Sequence, residues 1–250
     1  METEMRIEAG LHLVMSGGGG FDLTDAFDCN VFLVAAEDGW LMFDAGAGRY
    51  PGQVFDVLAE DGIDPTRIRH LFLTHGHADH SGGAAALRDR LGLAVHAGAA
   101  TAAMVATGDE EGISLGKAKR GGVYPMDYAY HACPVDRVWQ PDEEIRFGDV
   151  SVRMIPTPGH SRDHVSYLVT TPRRRMLVGG DALFHGGKVA IQNIVDCDIA
   201  AICESVRTLA ALEFDTLLPG HLAFTLKDGH RHAELALACV NRLQCPPSII

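Results

Sequence analysis

Residues 74–83 read T-H-G-H-A-D-H-S-G-G and directly follow an apolar segment that predicts a β-strand. His75 and His77 lie two positions apart, so they project to the same side if the strand direction continues. Asp79 and His80 follow where the chain turns into a helix. Imidazole and carboxylate groups at this density suit zinc and related ions, so the stretch predicts a metal cluster. A histidine-rich surface turn is disfavoured because glycines stand on both sides of the cluster.

Further along the chain, polar residues stand at the ends of three apolar segments, each with a glycine directly before it. They are His160, Asp181 and His221. Glycine permits a backbone turn at these points that a Cβ would obstruct. Taken singly, each is more typical of a loop residue than of a ligand. Their shared context predicts that a sheet delivers them to one edge, as candidates for the same metal-binding chemistry.

Length and composition favour one large globular domain of residues 1–250, since 47% of the 250 residues are hydrophobic and 22% are charged. The net charge of −12 would repel a phosphate backbone, which argues against a nucleic-acid partner. The sequence has no apolar run of membrane-spanning length and no secretory signal pattern. Its six cysteines follow no framework spacing, so a reduced, cytoplasmic protein is expected.

The order of predicted elements is strands, alternating helices and strands, strands again, and a second alternation. Strands are predicted at residues 6–15, 29–35, 39–43, 68–74, 93–96, 144–147, 150–155, 165–170, 175–178 and 216–218, and helices at residues 52–61, 84–90, 99–105, 200–212 and 229–243. Residues 108–133 lack apolar periodicity and predict a long surface excursion. This duplicated order predicts an α/β fold, a four-layer αββα sandwich of two mixed β-sheets flanked by helices.

With these motifs in place, residues 44–221 resemble the metallo-β-lactamase fold superfamily of hydrolases. The resemblance implies two divalent metal ions per chain, zinc in the first place, with manganese or iron as alternatives. The ligands carried over by motif are His75, His77 and His160 for one metal, Asp79, His80 and His221 for the second, and Asp181 as the bridge between them. Asp44 takes the place of the family's D-x-G motif, where a carboxylate orients a ligating imidazole. Its alternative role is a turn cap.

The resemblance also implies the chemistry. Two cations that share a water molecule lower its pKa and present hydroxide to a carbonyl carbon, so no side-chain nucleophile is needed. Asp79 is assigned a catalytic part in handling the proton. Ser81 lacks a positioned base and is expected to cap the following helix.

The expected reaction is hydrolysis of an ester-like bond in a small molecule, either a thioester or a lactone. Residues 179–184, G-G-D-A-L-F, resemble the G-D-x-L-F of the glyoxalase II group, which hydrolyses glutathione thioesters. Acyl-homoserine lactonases commonly place a tyrosine where this chain has Phe184, which cannot donate a hydrogen bond. A β-lactamase-like or phosphoester hydrolase and a non-catalytic metal-binding module are the alternatives, and homodimer formation is left open.

Substrate contacts are expected from two loops and from residues beside the ligand motifs. The candidates are Phe21, Tyr124, Tyr128, Tyr130, His131, Phe184 and His185, with His164 as a further residue that flanks a ligand. The four glycines at residues 17–20 predict a mobile loop that carries Phe21 over an apolar substrate. The tyrosines could form an aromatic wall with hydrogen-bonding tips. Their alternative role is to pack the long loop onto the domain.

Overall fold

The computed structural model describes residues 6–250, which fall into two compact units on either side of the Trp139–Gln140 bond. Each unit contains one mixed β-sheet and its own helices. The first five residues of the predicted domain lie outside the described residues. That residues 1–250 form a single domain stays a prediction.

In the first unit, strands among residues 6–139 form one sheet in chain order. They are β1 (Arg6–Glu8), β2 (Leu11–Met15), β3 (Val31–Ala36), β4 (Gly39–Phe43), β5 (Ile68–Phe72), β6 (Ala94–Gly98) and β7 (Arg137–Trp139). The strands from β1 to β4 are antiparallel to their neighbours, and those from β4 to β7 run parallel. The predicted strand at residues 6–15 is divided at Gly10, whose φ of +85° turns the chain between β1 and β2.

The helices of the first unit cover this sheet. They are α1 (Gln53–Glu60), α2 (Ala78–Ser81), α3 (Ala84–Leu91), α4 (Ala99–Thr107) and α5 (Leu115–Arg120). The apolar face predicted for α1 is confirmed, since Val54, Val57 and Leu58 are buried in the same core as the strand residues Val31 and Leu71. Burial of this apolar face stabilises the unit.

In the second unit, strands among residues 140–250 lie in the order β12-β11-β10-β9-β8. They are β8 (Glu144–Phe147), β9 (Val150–Pro156), β10 (Val165–Thr170), β11 (Arg175–Gly180) and β12 (Thr216–Pro219), and the helices are α6 (Ile199–Ala210) and α7 (His230–Asn241). The Asp198 carboxylate caps α6 by accepting the backbone N–H groups of Ala200 and Ala201. Strands β9, β11 and β12 point the same way, so their carboxyl ends meet at one edge of the sheet.

The sequence did not predict helix α5 or strand β7. Residues 115–120 form α5 inside the expected surface excursion, and residues 137–139 form β7. Helix α5 buries only Leu115 and Gly116, so it carries no repeated apolar spacing that a pattern could reveal. Across residues 6–250, the helices are too short or too polar to cross a bilayer.

Candidate metal centre

In the first unit, the imidazoles of the 74–83 stretch gather where β5 ends and α2 begins. The ring centroid of His75 lies 4.6 Å from that of His77 and 4.2 Å from that of His80. All three histidines are buried, whereas the Asp79 side chain is 24% exposed and its Oδ2 lies 3.7 Å from His80 Nε2. Buried imidazoles this close to one another and to a carboxylate are a donor set that suits a divalent cation.

A hydrogen-bonded layer behind these histidines fixes their rings. Asp44 Oδ2 accepts a hydrogen bond from His80 Nδ1 at 2.8 Å and from Thr74 Oγ1 at 2.9 Å. Thr74 Oγ1 in turn accepts from His75 Nδ1 at 3.0 Å. A proton on Nδ1 leaves Nε2 of both His75 and His80 as the nitrogen that can bind a metal. The predicted role of Asp44 is to orient an imidazole, and its hydrogen bond with His80 Nδ1 is the contact that this role requires.

Thr74 is a site residue that sequence reasoning missed. Its backbone N–H also donates to Asp44 Oδ1 at 2.8 Å, so it ties the D-x-G loop to the histidine stretch. The available signal was its position directly before His75 at the end of a buried strand. A threonine at such a point has a hydroxyl that can both donate and accept.

The backbone of the Asp44 loop is held by a second carboxylate. Asp44 itself has a φ of +62°, a conformation that aspartate tolerates better than most residues. Asp28 Oδ1 accepts the backbone N–H of Ala47 at 2.8 Å, and Asp28 Oδ2 accepts from Thr24 Oγ1 at 2.7 Å. Burial raises the pKa of Asp28 to about 6 despite these hydrogen bonds.

In the second unit, His160, Asp181 and His221 follow β9, β11 and β12 and lie at the shared carboxyl edge of the sheet. His160 Nε2 lies 3.4 Å from Asp181 Oδ2, and His221 Nε2 lies 3.6 Å from the same oxygen. His160 Nδ1 donates to the backbone oxygen of Ala190 at 3.3 Å, which again leaves Nε2 for a ligand. Two imidazoles directed at one carboxylate oxygen form a second donor set that suits a divalent cation.

The predicted tyrosine wall is largely occupied by contacts within the first unit. Tyr128 Oη donates to the backbone oxygen of Ala47 at 2.6 Å, and Tyr130 Oη lies 2.7 Å from Ser81 Oγ. Tyr124 stacks on Phe27. All three tyrosines are buried. These contacts favour the packing role, and a substrate role for the tyrosines stays a prediction.

Ser81 does not cap the following helix, and that expectation was wrong. It is the last residue of α2, and Gly83 stands at the N-cap of α3. The reason is that Gly83, which has no side chain, occupies the N-cap position of α3. The Ser81 hydroxyl instead donates to the backbone oxygen of Gly76 at 2.8 Å. This bond closes the turn of residues 76–81, called the ligand turn below because it carries candidate ligands.

The other candidate substrate residues differ in accessibility. Phe21 and His131 are exposed in the first unit, and His185 is exposed in the second, where its ring packs on His232. Phe184 is completely buried and offers no exposed surface to a ligand. Its backbone N–H donates to the oxygen of Lys188 at 2.9 Å.

The backbone of the glycine loop at residues 17–20 packs closely against neighbouring atoms of the same unit. A Cβ on Gly17 would lie 2.5 Å from the backbone oxygen of Asp25, and one on Gly20 would lie 2.3 Å from Ser16 Oγ. The Phe21 N–H donates to Ser16 Oγ at 2.7 Å. The glycines are therefore required by packing, a reason that the sequence prediction of a mobile loop did not include.

Comparisons with known proteins agree with this arrangement. Residues 24–221 match the sequence profile of the metallo-beta-lactamase superfamily, and the chain therefore belongs to that superfamily. A hydroxyacylglutathione hydrolase of Acidiphilium cryptum is 28% identical over 86% of this chain and 74% of its own length. One from Rhodopseudomonas palustris is 27% identical over 73% of this chain and 61% of its own length.

A solved structure shows the same fold. A metallo-beta-lactamase of Cronobacter sakazakii with an HARLDQ motif aligns with a TM-score of 0.73 at 20% identity, over 95% of both chains. The predicted superfamily and the predicted fold class, two mixed sheets flanked by helices, are confirmed. The chain is a metal-dependent hydrolase, as the sequence predicted.

Proposed function

We propose that this hydrolase holds two divalent metal ions and cleaves a thioester bond in a small molecule. The observation that carries the binuclear part is the approach of His160 and His221 to the same Asp181 oxygen. In the ligand set carried over by motif, these two histidines serve different metals and Asp181 bridges them. One carboxylate oxygen between two imidazoles is the contact that such a bridge needs.

The proposed ligand set is the one that the sequence motifs imply. One metal is assigned to His75, His77 and His160, the second to Asp79, His80 and His221, and Asp181 is assigned to both. When bound, the ions would supply an activated water molecule and polarise the carbonyl of the scissile bond. Zinc suits these nitrogen and oxygen donors, and manganese and iron are the alternatives.

The chain's own residues hold the imidazole rings in place and accept a proton. Asp44 and Thr74 hold the rings of His80 and His75 through their Nδ1 atoms. The Asp79 side chain is partly accessible to solvent, beside the buried His75, His77 and His80. We propose that its carboxylate accepts the proton released during turnover. Ser81 is excluded as a nucleophile because its hydroxyl is committed to Gly76 and Tyr130.

The thioester part rests on the relatives. The curated relatives include several named hydroxyacylglutathione hydrolases, and residues 179–184 match the motif of that group. A lactone is less well supported because Phe184 carries no hydroxyl and is buried. The likeness to β-lactamases is one of fold alone, at 20% identity. The charge of −12 and the scattered cysteines support a cytoplasmic enzyme that takes neither nucleic acid nor membrane as a partner.

A hydrolysis panel tests the proposal. Zinc-loaded protein is assayed against a glutathione thioester, a thioester without glutathione, a homoserine lactone, a β-lactam and a phosphodiester, with metal content measured in parallel. We expect about two ions per chain and fastest turnover of a thioester. Asp181→Ala should abolish turnover and lower metal content, whereas the control Glu204→Gln, an exposed acid on α6, should change neither. Saturation at one ion, or a preference for another bond, would contradict the proposal, and full metal content without turnover would indicate a binding module.

A further inference from the structure

His164, four residues after the ligand His160, lies inside the second unit with almost no exposed surface. Its Nε2 accepts the backbone N–H of Asp181 at 2.9 Å. Because a backbone N–H can only donate, His164 Nε2 carries no proton and the ring proton of the neutral imidazole lies on Nδ1. The imidazole therefore holds the main chain of a ligand residue.

A directed chain of hydrogen bonds selects this tautomer. His164 Nδ1 lies 2.9 Å from Thr157 Oγ1, which accepts its proton. Thr157 Oγ1 donates onward to Ser166 Oγ at 2.9 Å, and Ser166 Oγ donates to the backbone oxygen of Gly179 at 3.2 Å. The chain ends on a carbonyl, which can only accept, so each proton in it has one direction. All of these side chains are buried.

The hydrogen bond between the Asp181 N–H and His164 lies directly after the end of β11. The pairing of β11 with β12 is irregular between Val178 and Gly180, and Gly180 turns the backbone with a φ of +48°. Asp181 comes next, so its N–H lies beyond the β11 strand and is accepted by the His164 side chain. A backbone that leaves its strand at a glycine needs such an anchor to keep one conformation.

We infer that His164 is a positioning residue that fixes the Asp181 backbone, and with it the direction of the Asp181 carboxylate toward His160 and His221. This inference rests on the proposed function, because it assigns the purpose of the anchor to a metal-bridging carboxylate. It differs from the sequence expectation that His164 flanks the pocket as a wall residue. His164 acts through Asp181 and does not touch substrate.

The same unit contains an internal reference with the opposite tautomer. His232 Nδ1 accepts the backbone N–H of Gly186 at 3.0 Å, and its Nε2 lies 2.9 Å from Thr225 Oγ1. In His232 the proton therefore lies on Nε2. Nitrogen-15 NMR of the imidazoles in the full-length metal-free protein should show His164 protonated at Nδ1 and His232 protonated at Nε2. A His164 ring protonated at Nε2 would overturn the inference.

Matched variants test the link to the metal. His164→Phe keeps a planar ring and removes both nitrogens, and Thr157→Val removes the acceptor that selects the tautomer. Thr225→Val makes the same change beside His232 and is the control. Zinc affinity, measured by competition with a chromophoric chelator, should fall about 10- to 100-fold in His164→Phe, as is typical when a partner of a ligand is removed. Thr157→Val should lose less, and Thr225→Val should bind zinc like the parent chain.

The outcomes separate this inference from the proposed function. If the parent chain binds zinc and both His164→Phe and Thr157→Val bind it equally well, the anchor has no role at the metal and the inference fails while the function stands. If the parent chain binds no zinc, the proposed function fails. In that case, hydrogen exchange of the Asp181 amide tests the His164 anchor. An exchange rate in Thr157→Val equal to that of the parent chain would overturn the inference. Should His164→Phe not fold, Thr157→Val alone decides.

Discussion

At the scale of single residues, three of the candidate ligand histidines each make a hydrogen bond through Nδ1, which leaves Nε2 for a metal. His80 bonds to Asp44, His75 to Thr74, and His160 to the backbone oxygen of Ala190. Such partners set the tautomer and the direction of the ring. The ligand candidates could be predicted from the sequence, because four of them lie within six residues. Most of their partners lie about 30 or more residues away, and nothing local announces them.

Asp44→Asn tests this orienting role. Asparagine keeps the volume of the side chain but cannot accept from Thr74 and His80 with both of its polar atoms. We expect zinc affinity to fall about 10- to 100-fold with a small loss of stability. Competition with a chromophoric chelator measures it, and Asp56→Asn on the exposed face of α1 is the control. Equal zinc affinity in Asp44→Asn and the parent chain would show that Asp44 is only a turn cap.

Asp28→Asn tests a pH dependence that belongs to one buried carboxyl group. Its pKa is raised from 3.8 to about 6 in the folded chain, so the folded state binds the proton more tightly than the unfolded state. The resulting stability is present below the ordinary pKa and is lost as the pH rises through 6. The full difference is about 3 kcal/mol. Urea unfolding between pH 4.5 and 8 should show about 2 kcal/mol of this loss in the parent chain and none of it in Asp28→Asn. Parallel pH profiles would contradict the prediction.

At the scale of elements, the ligand turn depends on contacts from the long 108–133 segment. Helix α2 has only four residues, which is too short for a helix to stabilise itself. Tyr130 Oη donates to Ser81 Oγ at its end, and Ser81 Oγ donates back to the oxygen of Gly76. A segment that the sequence presents as a surface excursion therefore holds the ligand turn in place. Its tyrosines are visible in the sequence, but the partners of Tyr130 and Tyr128, 49 and 81 residues away, are not.

Tyr130→Phe removes the hydrogen bond between Tyr130 Oη and Ser81 Oγ. We expect a loss of about 1 kcal/mol in the free energy of unfolding, the usual contribution of one buried hydrogen bond. A double-mutant cycle with Ser81→Ala should show that the two losses are coupled, because both remove the same bond. Tyr50→Phe, at a tyrosine that is 55% exposed, is the control. Additive losses in the cycle would mean that the hydroxyls do not interact.

Gly17→Ala and Gly52→Ala form a matched pair that separates packing from flexibility. A Cβ at Gly17 would meet three backbone oxygens at 2.5–2.7 Å, whereas a Cβ at Gly52 would meet nothing within 4 Å. We expect Gly17→Ala to destabilise the chain by about 1–3 kcal/mol and Gly52→Ala to change stability by less than about 0.5 kcal/mol. Thermal and urea unfolding measure both. Equal effects would favour the interpretation of residues 17–20 as a loose loop.

At the scale of the whole molecule, the sequence was most informative where an element is long and periodic. The apolar faces of α1 and α6 and the strands β9 to β11 follow from spacing alone. Short elements such as β7, with three residues, depend on a neighbouring strand that supplies their hydrogen bonds. The same limit applies to the site. The density of histidines and their position at strand ends indicate the ligand candidates. The hydrogen bonds that orient them depend on strand register and on contacts between segments that are distant in the sequence.

The last prediction concerns the dependence of the whole molecule on metal. The proposed ligand set includes His77 and His160, so loss of either residue should remove most of the stabilisation that metal provides. Zinc at about 100 times its Kd adds about 2.7 kcal/mol and raises the Tm of a chain this long by about 5–10 °C. Differential scanning fluorimetry with zinc and with a chelator should show this rise in the parent chain and little of it in His77→Ala or His160→Ala. His230→Ala, an α7 histidine bonded to the backbone oxygen of Ala210, should keep it. A full zinc response in His160→Ala would mean that His160 is not a ligand and that the proposed ligand set is wrong.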